Sequence, residues 1–427
     1  MTSERVYVGF GFGAIQAGLF LYEAARSRAF DRLVVAEVVP AVVEAVRRGG
    51  GSYALNIAHL DRVETVRLGP IEIENPARAA DRERLVAAIA AAAEIGTAIP
   101  SVKYYVSDGP GSLHRVLAEG LRRKAAQGGP RAVVYTAENN NCAAEILERA
   151  VLGEIPEAER AALAARVRFL NTVVGKMSGI LTDPREIRAA GLATVSAEDN
   201  RAFLVEAFNR ILITKIQFPE GAPFARGLRV FEEKTDLLPF EEAKLHGHNA
   251  THALAAYLAL ALGLETIAEL PRVEEMMDFL RAAFIDESGA ALIKKYQGFD
   301  PLFTAEGYRA YAEDLLARMT NPHLLDRAER VGRDPRRKLA WDDRLIGTMR
   351  LALSQGIQPE RYALGAAAAL LHLDPSFLPS DRPAQAWLEP LWREAKVDPR
   401  ERERVLELVE AARVRLARWR ADRRPIE

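Results

Sequence analysis

Residues 5–10, Arg-Val-Tyr-Val-Gly-Phe, alternate and then run apolar, and glycines at 9, 11, 13 and 18 punctuate the end of that run and the helical pattern Ala14–Arg26 that follows. Such a run reads as a buried strand. A strand passing through a glycine turn straight into a helix opens a parallel βαβ unit, because a parallel neighbour can be reached only by a crossover. The rest of the N-terminal half repeats the theme. Leu33–Ala36 is a second apolar run ending at Glu37, and the helical pattern Val38–Arg48 is stopped by Gly49-Gly50-Gly51. Strand-like pieces recur at 53–57, 63–68 and 71–73, and helical patterns at 82–93 and 113–126. The buried run 132–137 ends in the polar cluster Glu138-Asn139-Asn140-Asn141. Alternating strand and helix patterns predict an α/β domain built on a parallel sheet.

Beyond about residue 195 long helical patterns take over, at 202–215, 239–263, 272–285, 306–318, 342–354, 360–372 and 400–420. With 427 residues, the chain exceeds the ~250–300 at which a single core stops growing. Two domains are therefore expected: residues 1–197, α/β, and residues 198–427, mostly α-helical. No low-complexity linker separates them, so a packed pair is expected.

Composition excludes several classes. At 49% hydrophobic and 27% charged the chain is neither disordered, collagen-like nor a disulfide scaffold. The formal charge of −1 gives no global pull toward nucleic acid or an anionic membrane. Cys142 is the sole cysteine and has no internal partner for a disulfide, which fits a reducing compartment, so a cytoplasmic location is expected. Met1-Thr-Ser-Glu-Arg runs directly into the first strand pattern and does not read as a signal peptide. The longest uncharged apolar stretch, 253–264, is shorter than the ~20 residues that span a bilayer.

Three constellations could carry chemistry. The first is Gly11-Phe-Gly13-Ala14-Ile15-Gln16. Glycines in such a turn let the backbone approach a pyrophosphate, and the following helix N-terminus favours its charge. Glu37, at the end of the second strand, stands where an acid would hold an adenosine ribose and repel a 2′-phosphate, which favours NAD over NADP. Gln16 occupies the position of the third glycine. The competing reading is a tight turn without a ligand.

The second is Lys244-x4-Asn249-x2-His252. Only 10 of the 58 basic residues are lysines, so a lysine leading into an apolar helix stands out. At ~100° per residue, Lys244, Asn249 and His252 fall near about 0°, 140° and 80°, on one broad face. A buried lysine is pushed toward neutrality and so toward use as a general base, and an amide and an imidazole beside it can hold a carbonyl or alkoxide oxygen. His248 and His252, at i and i+4, could also begin a zinc site, but the segment lacks a third ligand nearby, and no metal is expected. The bland reading is a helix start with solvated polar residues.

The third is the basic stretch 329–339, with five cations between Arg330 and Lys338. Its arginines could fork a phosphate, or it could be a solvated basic loop.

The Lys244-x4-Asn249-x2-His252 set resembles the signature of the polyol-specific long-chain dehydrogenases/reductases. Asp286–Tyr296, and Asn321-Pro-His-Leu with Glu329-Arg-Val-Gly-Arg-Asp-Pro-Arg-Arg-Lys-Leu and Asp343-Arg-Leu-Ile, resemble the branch of that family that acts on mannitol 1-phosphate. The resemblance runs to about residue 350. It implies a Rossmann-type NAD-binding domain, a helical substrate-binding and catalytic domain, NAD as cofactor, no metal, and interconversion of mannitol 1-phosphate and fructose 6-phosphate. It further implies Lys244 as general acid/base and Asn249 and His252 as a carbonyl-polarising pair. Gly11, Gly13, Ala14, Ile15, Glu37, Thr97 and Asn139 would bind cofactor, and Asn139, Lys176, Arg330, Arg333 and Lys338 substrate. The chain departs from the family where Val-Asp-Arg-Ile is replaced by Val174-Gly175-Lys176-Met177, leaving Lys176 as the cation there. A free ketose or a hexuronate as substrate, or dinucleotide binding without turnover, stay open as alternatives. The expected partners are a small sugar phosphate or polyol, with no nucleic acid or membrane, in a monomer or homodimer.

Overall fold

The computed structural model describes residues 4–221 and 223–422. The chain divides into two compact units, Met1–Leu238 and Pro239–Glu427. The division falls later than the 197/198 expected from the sequence, because the segment after 198 is not helical. The pattern at 202–215 forms two strands, and a third follows before the first unit ends.

Among its described residues the first unit carries twelve strands: β1 (Val6–Phe10), β2 (Arg32–Ala36), β3 (Tyr53–Ala58), β4 (Val63–Leu68), β5 (Glu72–Glu74), β6 (Ala92–Thr97), β7 (Ala132–Thr136), β8 (Val167–Val174), β9 (Ser178–Leu181), β10 (Ala202–Glu206), β11 (Ile211–Thr214) and β12 (Phe231–Lys234). Eight form one sheet in the order β12-β11-β8-β7-β6-β1-β2-β5, and four form a second in the order β4-β3-β10-β9. In the large sheet β1 pairs in parallel with both β2 and β6, and the parallel run continues through β7 to β8. Chain order thus reverses at β1, and in open α/β sheets ligands bind outside the carboxyl ends of strands at such a reversal.

Period-two alternation sorts the β1 side chains. Val6, Val8 and Phe10 join a core with Leu85, Ile89, Val116, Leu117 and Leu147 from the helices on one face. Tyr7 points the other way, into a core shared with Phe12, Phe20, Tyr53, Leu55, Phe203 and Val205. β6 was hidden in the sequence inside an Ala-rich helical pattern. Helix Ala79–Ala91 stops at Ala92, which turns to extended backbone, and the strand buries Glu94 completely. That carboxylate is satisfied by Arg5 at 3.0 Å and the Tyr135 hydroxyl at 2.9 Å.

The second unit is helical. A long helix starts at Leu238–Glu242, widens into a π-helical turn over Ala243–Asn249 and resumes as α-helix over Ala250–Leu262. A second π-turn, Ala283–Gly289, contacts the first. Both wide turns carry glycines because aromatic rings press on them. A Cβ at Gly247 would sit 2.5 Å from the Tyr308 hydroxyl, and one at Gly289 2.6 Å from the Tyr308 ring. The helix Pro399–Asp422 buries Val405, Val409, Ala412 and Leu416 and packs on Glu360–Leu373. Among the described residues no helix is long and apolar enough to cross a membrane.

Candidate active site

The carboxyl ends of β1, β2, β6 and β7 are drawn level by backbone bonds: Gly11 N–H to Ala36 at 2.9 Å, Ala98 N–H to Phe10 at 3.0 Å, and Ala137 N–H to Thr97 at 3.0 Å. Gly11 has φ +85°, and a Cβ there would meet the Ala98 carbonyl oxygen at 2.8 Å. Only glycine holds this turn without strain. Gly13 has open space where its Cβ would be, which suits the approach of a ligand. Ala14 and Ile15 are the first helical residues, and the N–H groups of a first turn have no acceptor within their helix.

Gln16 fills the third-glycine position in its own way. It is fully buried, and its amide donates to the Tyr7 hydroxyl at 2.8 Å across the bare Cα of Gly9. Close helix–sheet approach falls instead to Gly18, where a Cβ would lie 2.6 Å from the Val205 side chain. Glu37 is buried at the end of β2 and accepts from Phe12 N–H at 2.9 Å and Val39 N–H at 2.8 Å. It therefore braces the glycine turn, and a carboxylate still has lone pairs for further donors.

Thr97 ends β6 with its hydroxyl donating to Glu138 at 2.8 Å. Glu138 also accepts from Ile99 N–H at 2.9 Å and from the Tyr105 hydroxyl. Burial drives its acidity down and its pKa up, against the pull of these three donors. Glu138 fixes the Thr97–Ile99 turn, a role the sequence reading did not give it. Its neighbour Asn139 is exposed.

Lys176 is not where a substrate cation would be. It is buried, and its ammonium donates to the carbonyl oxygens of Glu206 and Phe208 and to the side-chain oxygen of Asn209. A lysine has three donors, and these three acceptors account for them. Lys176 thus ties down the 206–209 loop, and its expected part in substrate binding is withdrawn.

In the second unit the wide turn corrects the spacing argument. A π-turn closes i to i+5, so Lys244 and Asn249 stand one above the other rather than at the separation drawn for an α-helix. His252 follows Asn249 by three residues, one α-turn further on. Lys244, Asn249 and His252 are each half-buried. Burial, reinforced by the guanidinium of Arg344 and opposed by Glu241, lowers the Lys244 pKa to about 8. Burial also lowers His246, to about 4, and its Nδ1 lies 3.0 Å from the Thr348 hydroxyl. His248 is depressed too, first by burial and then by His252 and Arg318.

His252 Nε2 lies 2.7 Å from Oδ2 of Asp326, whose other oxygen accepts from Arg330 at 2.6 Å. Burial alone would raise the Asp326 pKa, but His252 and Arg330 together hold it below the usual range. An ionised carboxylate only accepts, so Nε2 carries the proton and Nδ1 is the atom left for another partner. Arg330 is thereby engaged with Asp326. Lys338 is buried over the Tyr257 ring at 5.8 Å, bonded to the Arg333 carbonyl, and lowered to about 8 by burial and Arg344. Arg333 itself is exposed.

Two chemically placed residues, Asp326 and Arg344, were not singled out in the sequence. Arg344 lies inside one motif stretch and Asp326 in the gap between two others, both among many charges, and only the fold shows that Asp326 bonds His252 and that Arg344 acts on Lys244 and Lys338.

Comparison with known proteins gives a consistent result. A model described as the mannitol dehydrogenase Rossmann domain matches residues 5–226, and one described as the mannitol dehydrogenase C-terminal domain matches residues 236–412. The chain is 30% identical over 362 residues to mannitol-1-phosphate 5-dehydrogenase of Bacillus licheniformis, covering 84% of this chain and 86% of that one. Two solved structures share the fold. A substrate-free D-sorbitol dehydrogenase aligns with a TM-score of 0.74 at 16% identity, over 99% of this chain and 96% of the other. The Pseudomonas fluorescens mannitol 2-dehydrogenase ternary complex with NAD and D-mannitol aligns with a TM-score of 0.70 at 15% identity, over 99% and 93%.

Proposed function

The chain belongs to the mannitol dehydrogenase family and is an oxidoreductase acting on CH–OH groups, and on that premise we propose that it interconverts mannitol 1-phosphate and fructose 6-phosphate with NAD and without a metal. The observation that carries the reading is the lysine-led wide turn: Lys244 with a pKa near 8, in line with Asn249 and one turn before a His252 whose Nε2 is committed to Asp326.

The residues of the first unit fit the cofactor. The turn is open at Gly13, where a pyrophosphate would approach, the helix after it offers first-turn N–H groups that have no acceptor within their helix, and Glu37 is fixed as an acceptor at the end of β2. NAD supplies or takes up the hydride when bound.

The remaining chemistry belongs to the second unit. Asn249 donates its amide N–H to the substrate carbonyl oxygen, and His252 presents Nδ1 beside it as an acceptor for a substrate hydroxyl. In reduction the Lys244 ammonium gives that oxygen a proton as the carbonyl carbon gains hydride. In oxidation neutral Lys244 takes the hydroxyl proton as the carbon loses hydride. A pKa near 8 lets one group serve both directions close to neutral pH. Polarisation by the oriented amide, with the Lys244 ammonium beside it, replaces a Lewis acid, and the Asp326 contact occupies Nε2 of His252 and leaves Nδ1 as an acceptor.

The phosphate part rests on the similarity to the Bacillus licheniformis enzyme and on the Arg344 cation that acts on Lys244. The test compares kcat/KM with NADH for fructose 6-phosphate, fructose, fructuronate and tagaturonate. Fructose 6-phosphate is expected to lead by far. A ratio near one against fructose, or a preferred hexuronate, overturns the phosphate reading and leaves a free-ketose or hexuronate reductase in its place.

A further inference from the structure

Arg344 is held where two parts of the second unit meet. Its backbone N–H and Nε both bond Oδ1 of Asp343, at 2.7 and 2.9 Å. Its carbonyl accepts from the Thr348 hydroxyl at 2.6 Å, and that same hydroxyl lies 3.0 Å from His246 of the wide turn. On the other side Leu345 N–H bonds the Lys338 carbonyl at 3.2 Å. Gly347 lets the two pieces close up, since a Cβ there would be 3.3 Å from the His246 ring and 2.9 Å from the Asp342 backbone. Arg344 is thus pinned between the turn that carries Lys244 and the segment that carries Lys338. Its side chain is 13% exposed, so it is shielded but reachable.

The neighbouring cations are less suited to receive an anion. Arg330 is engaged by Asp326, Lys338 is buried over Tyr257, and Arg333 is exposed. Arg344 spends Nε on Asp343, and among the described residues its terminal nitrogens have no acceptor within hydrogen-bonding distance. Those two nitrogens form the fork that matches a phosphate.

We infer that Arg344 receives the anionic end of the substrate and so sets the preference for a phosphorylated sugar, an assignment that rests on the reading in the preceding section. The positive charge shared by Arg344, Lys244 and Lys338 supports it. Arg344 disfavours protonation of both lysines, and a dianion seated there would relieve that repulsion. Substrate binding and Lys244 protonation are thereby coupled.

The experiment measures kcat/KM for fructose 6-phosphate and fructose in the wild type and in Arg344→Gln, Arg344→Lys and Arg333→Gln, with inorganic phosphate as a competitive inhibitor of each. Loss of a charged, forked contact should shrink the fructose 6-phosphate to fructose ratio about ten- to a hundredfold in Arg344→Gln, and weaken phosphate inhibition alongside. Arg344→Lys, which keeps charge and loses the fork, should fall between, and it carries the test should Arg344→Gln not fold. Arg333→Gln tests the rival expectation drawn from the resemblance, that Arg333 binds substrate; with the anion on Arg344 the ratio should stay within about twofold, on the scale of exposed charges. A large wild-type ratio left unchanged by both Arg344 substitutions overturns the assignment and leaves the phosphate reading standing. A collapse in Arg333→Gln instead transfers the role to Arg333 and also overturns it. A wild-type ratio near one removes the phosphate reading and this assignment together.

Discussion

The buried Asp326 carboxylate holds the His252 ring through Nε2 at 2.7 Å while its second oxygen is held by Arg330. The ring orientation and its tautomer follow from this one contact. Asp326→Asn keeps the shape and removes the charge. Its amide can also present N–H to the ring, which favours the wrong tautomer. Turnover is expected to fall about a hundredfold, the scale of a small displacement at a reacting centre, with NADH affinity unchanged. Steady-state kinetics and an NADH titration check both halves, and an unchanged kcat would show that His252 is not steered from Asp326.

Lys244 makes a prediction with a sign. Its pKa is lowered to about 8 by burial and by Arg344, with Glu241 opposing and His248 alongside. Below pH 8 the ammonium dominates, so ketose reduction is fast there and fades as pH rises through 8. Polyol oxidation needs the neutral amine and rises over the same range. Arg344→Gln removes a repulsive charge, so both midpoints should move up toward the ordinary lysine value of ~10.4, without reaching it because burial remains. Lys244→Met should cost about a hundredfold or more in turnover and abolish that limb of the profile. pH–rate profiles in both directions decide it. A midpoint indifferent to both changes would assign the proton to another group.

The legible parts of the sequence were those where one local period governs. β1, the Gly11 turn, the helix after it, β2 and Glu37 were all readable, because period-two burial and a glycine with φ +85° leave a mark in composition. The stretch 202–215 misled, because two short buried strands separated by Ala207-Phe208-Asn209-Arg210 present the same apolar density as one helix. β6 misled because its helix and strand share an alanine-rich run and its centre is a buried glutamate. In the candidate site, Lys244, Asn249 and His252 stand out in the sequence by type and spacing, although the wide turn that aligns them has no sequence signature; the glycines it needs answer to Tyr308, far along the chain. Lys176 looked like a substrate cation because its three acceptors lie some thirty residues on, in the 206–209 loop.

Gly18 predicts a stability loss. Its Cα lies against Val205 and Leu55, so Gly18→Ala would place a Cβ 2.6 Å from one Val205 methyl and 3.2 Å from a Leu55 methyl. Both side chains are buried in the core shared with Phe12 and Phe203 and cannot swing clear. The cost should be about 1–3 kcal/mol, the range for overpacking, against the gain an alanine would otherwise bring to a helix. Denaturant unfolding followed by far-UV circular dichroism reads it as a lower midpoint, and a midpoint equal to or above the wild type would mean the helix shifts freely over the sheet.

Metal removal gives a prediction with no mutation. With His252 Nε2 bound to Asp326, proton transfer and polarisation are assigned to side chains alone. Activity is expected to survive prolonged chelation and dialysis at full strength. Loss on chelation with recovery on adding zinc would overturn that assignment.

Glu37 does two jobs, and they separate by substitution. Its carboxylate braces the glycine turn through Phe12 N–H and Val39 N–H, and the same charge would repel a 2′-phosphate. Glu37→Ala loses both functions. NAD(H) should weaken by about ten- to a hundredfold, as expected when charged hydrogen bonds of about 1.5–3 kcal/mol are lost. NADP(H) should weaken less, because losing the brace is offset by losing the repulsion, so the preference for NAD narrows from both sides. Glu37→Gln separates the two. One amide oxygen can keep one of the two N–H contacts while the charge is gone, so the loss for NAD should be smaller than in Glu37→Ala and the gain in relative NADP use should persist. The measurement is kcat/KM for both cofactors in all three proteins. If wild type uses both equally, Glu37 is a brace alone, and its place at the end of β2 says nothing about the ribose.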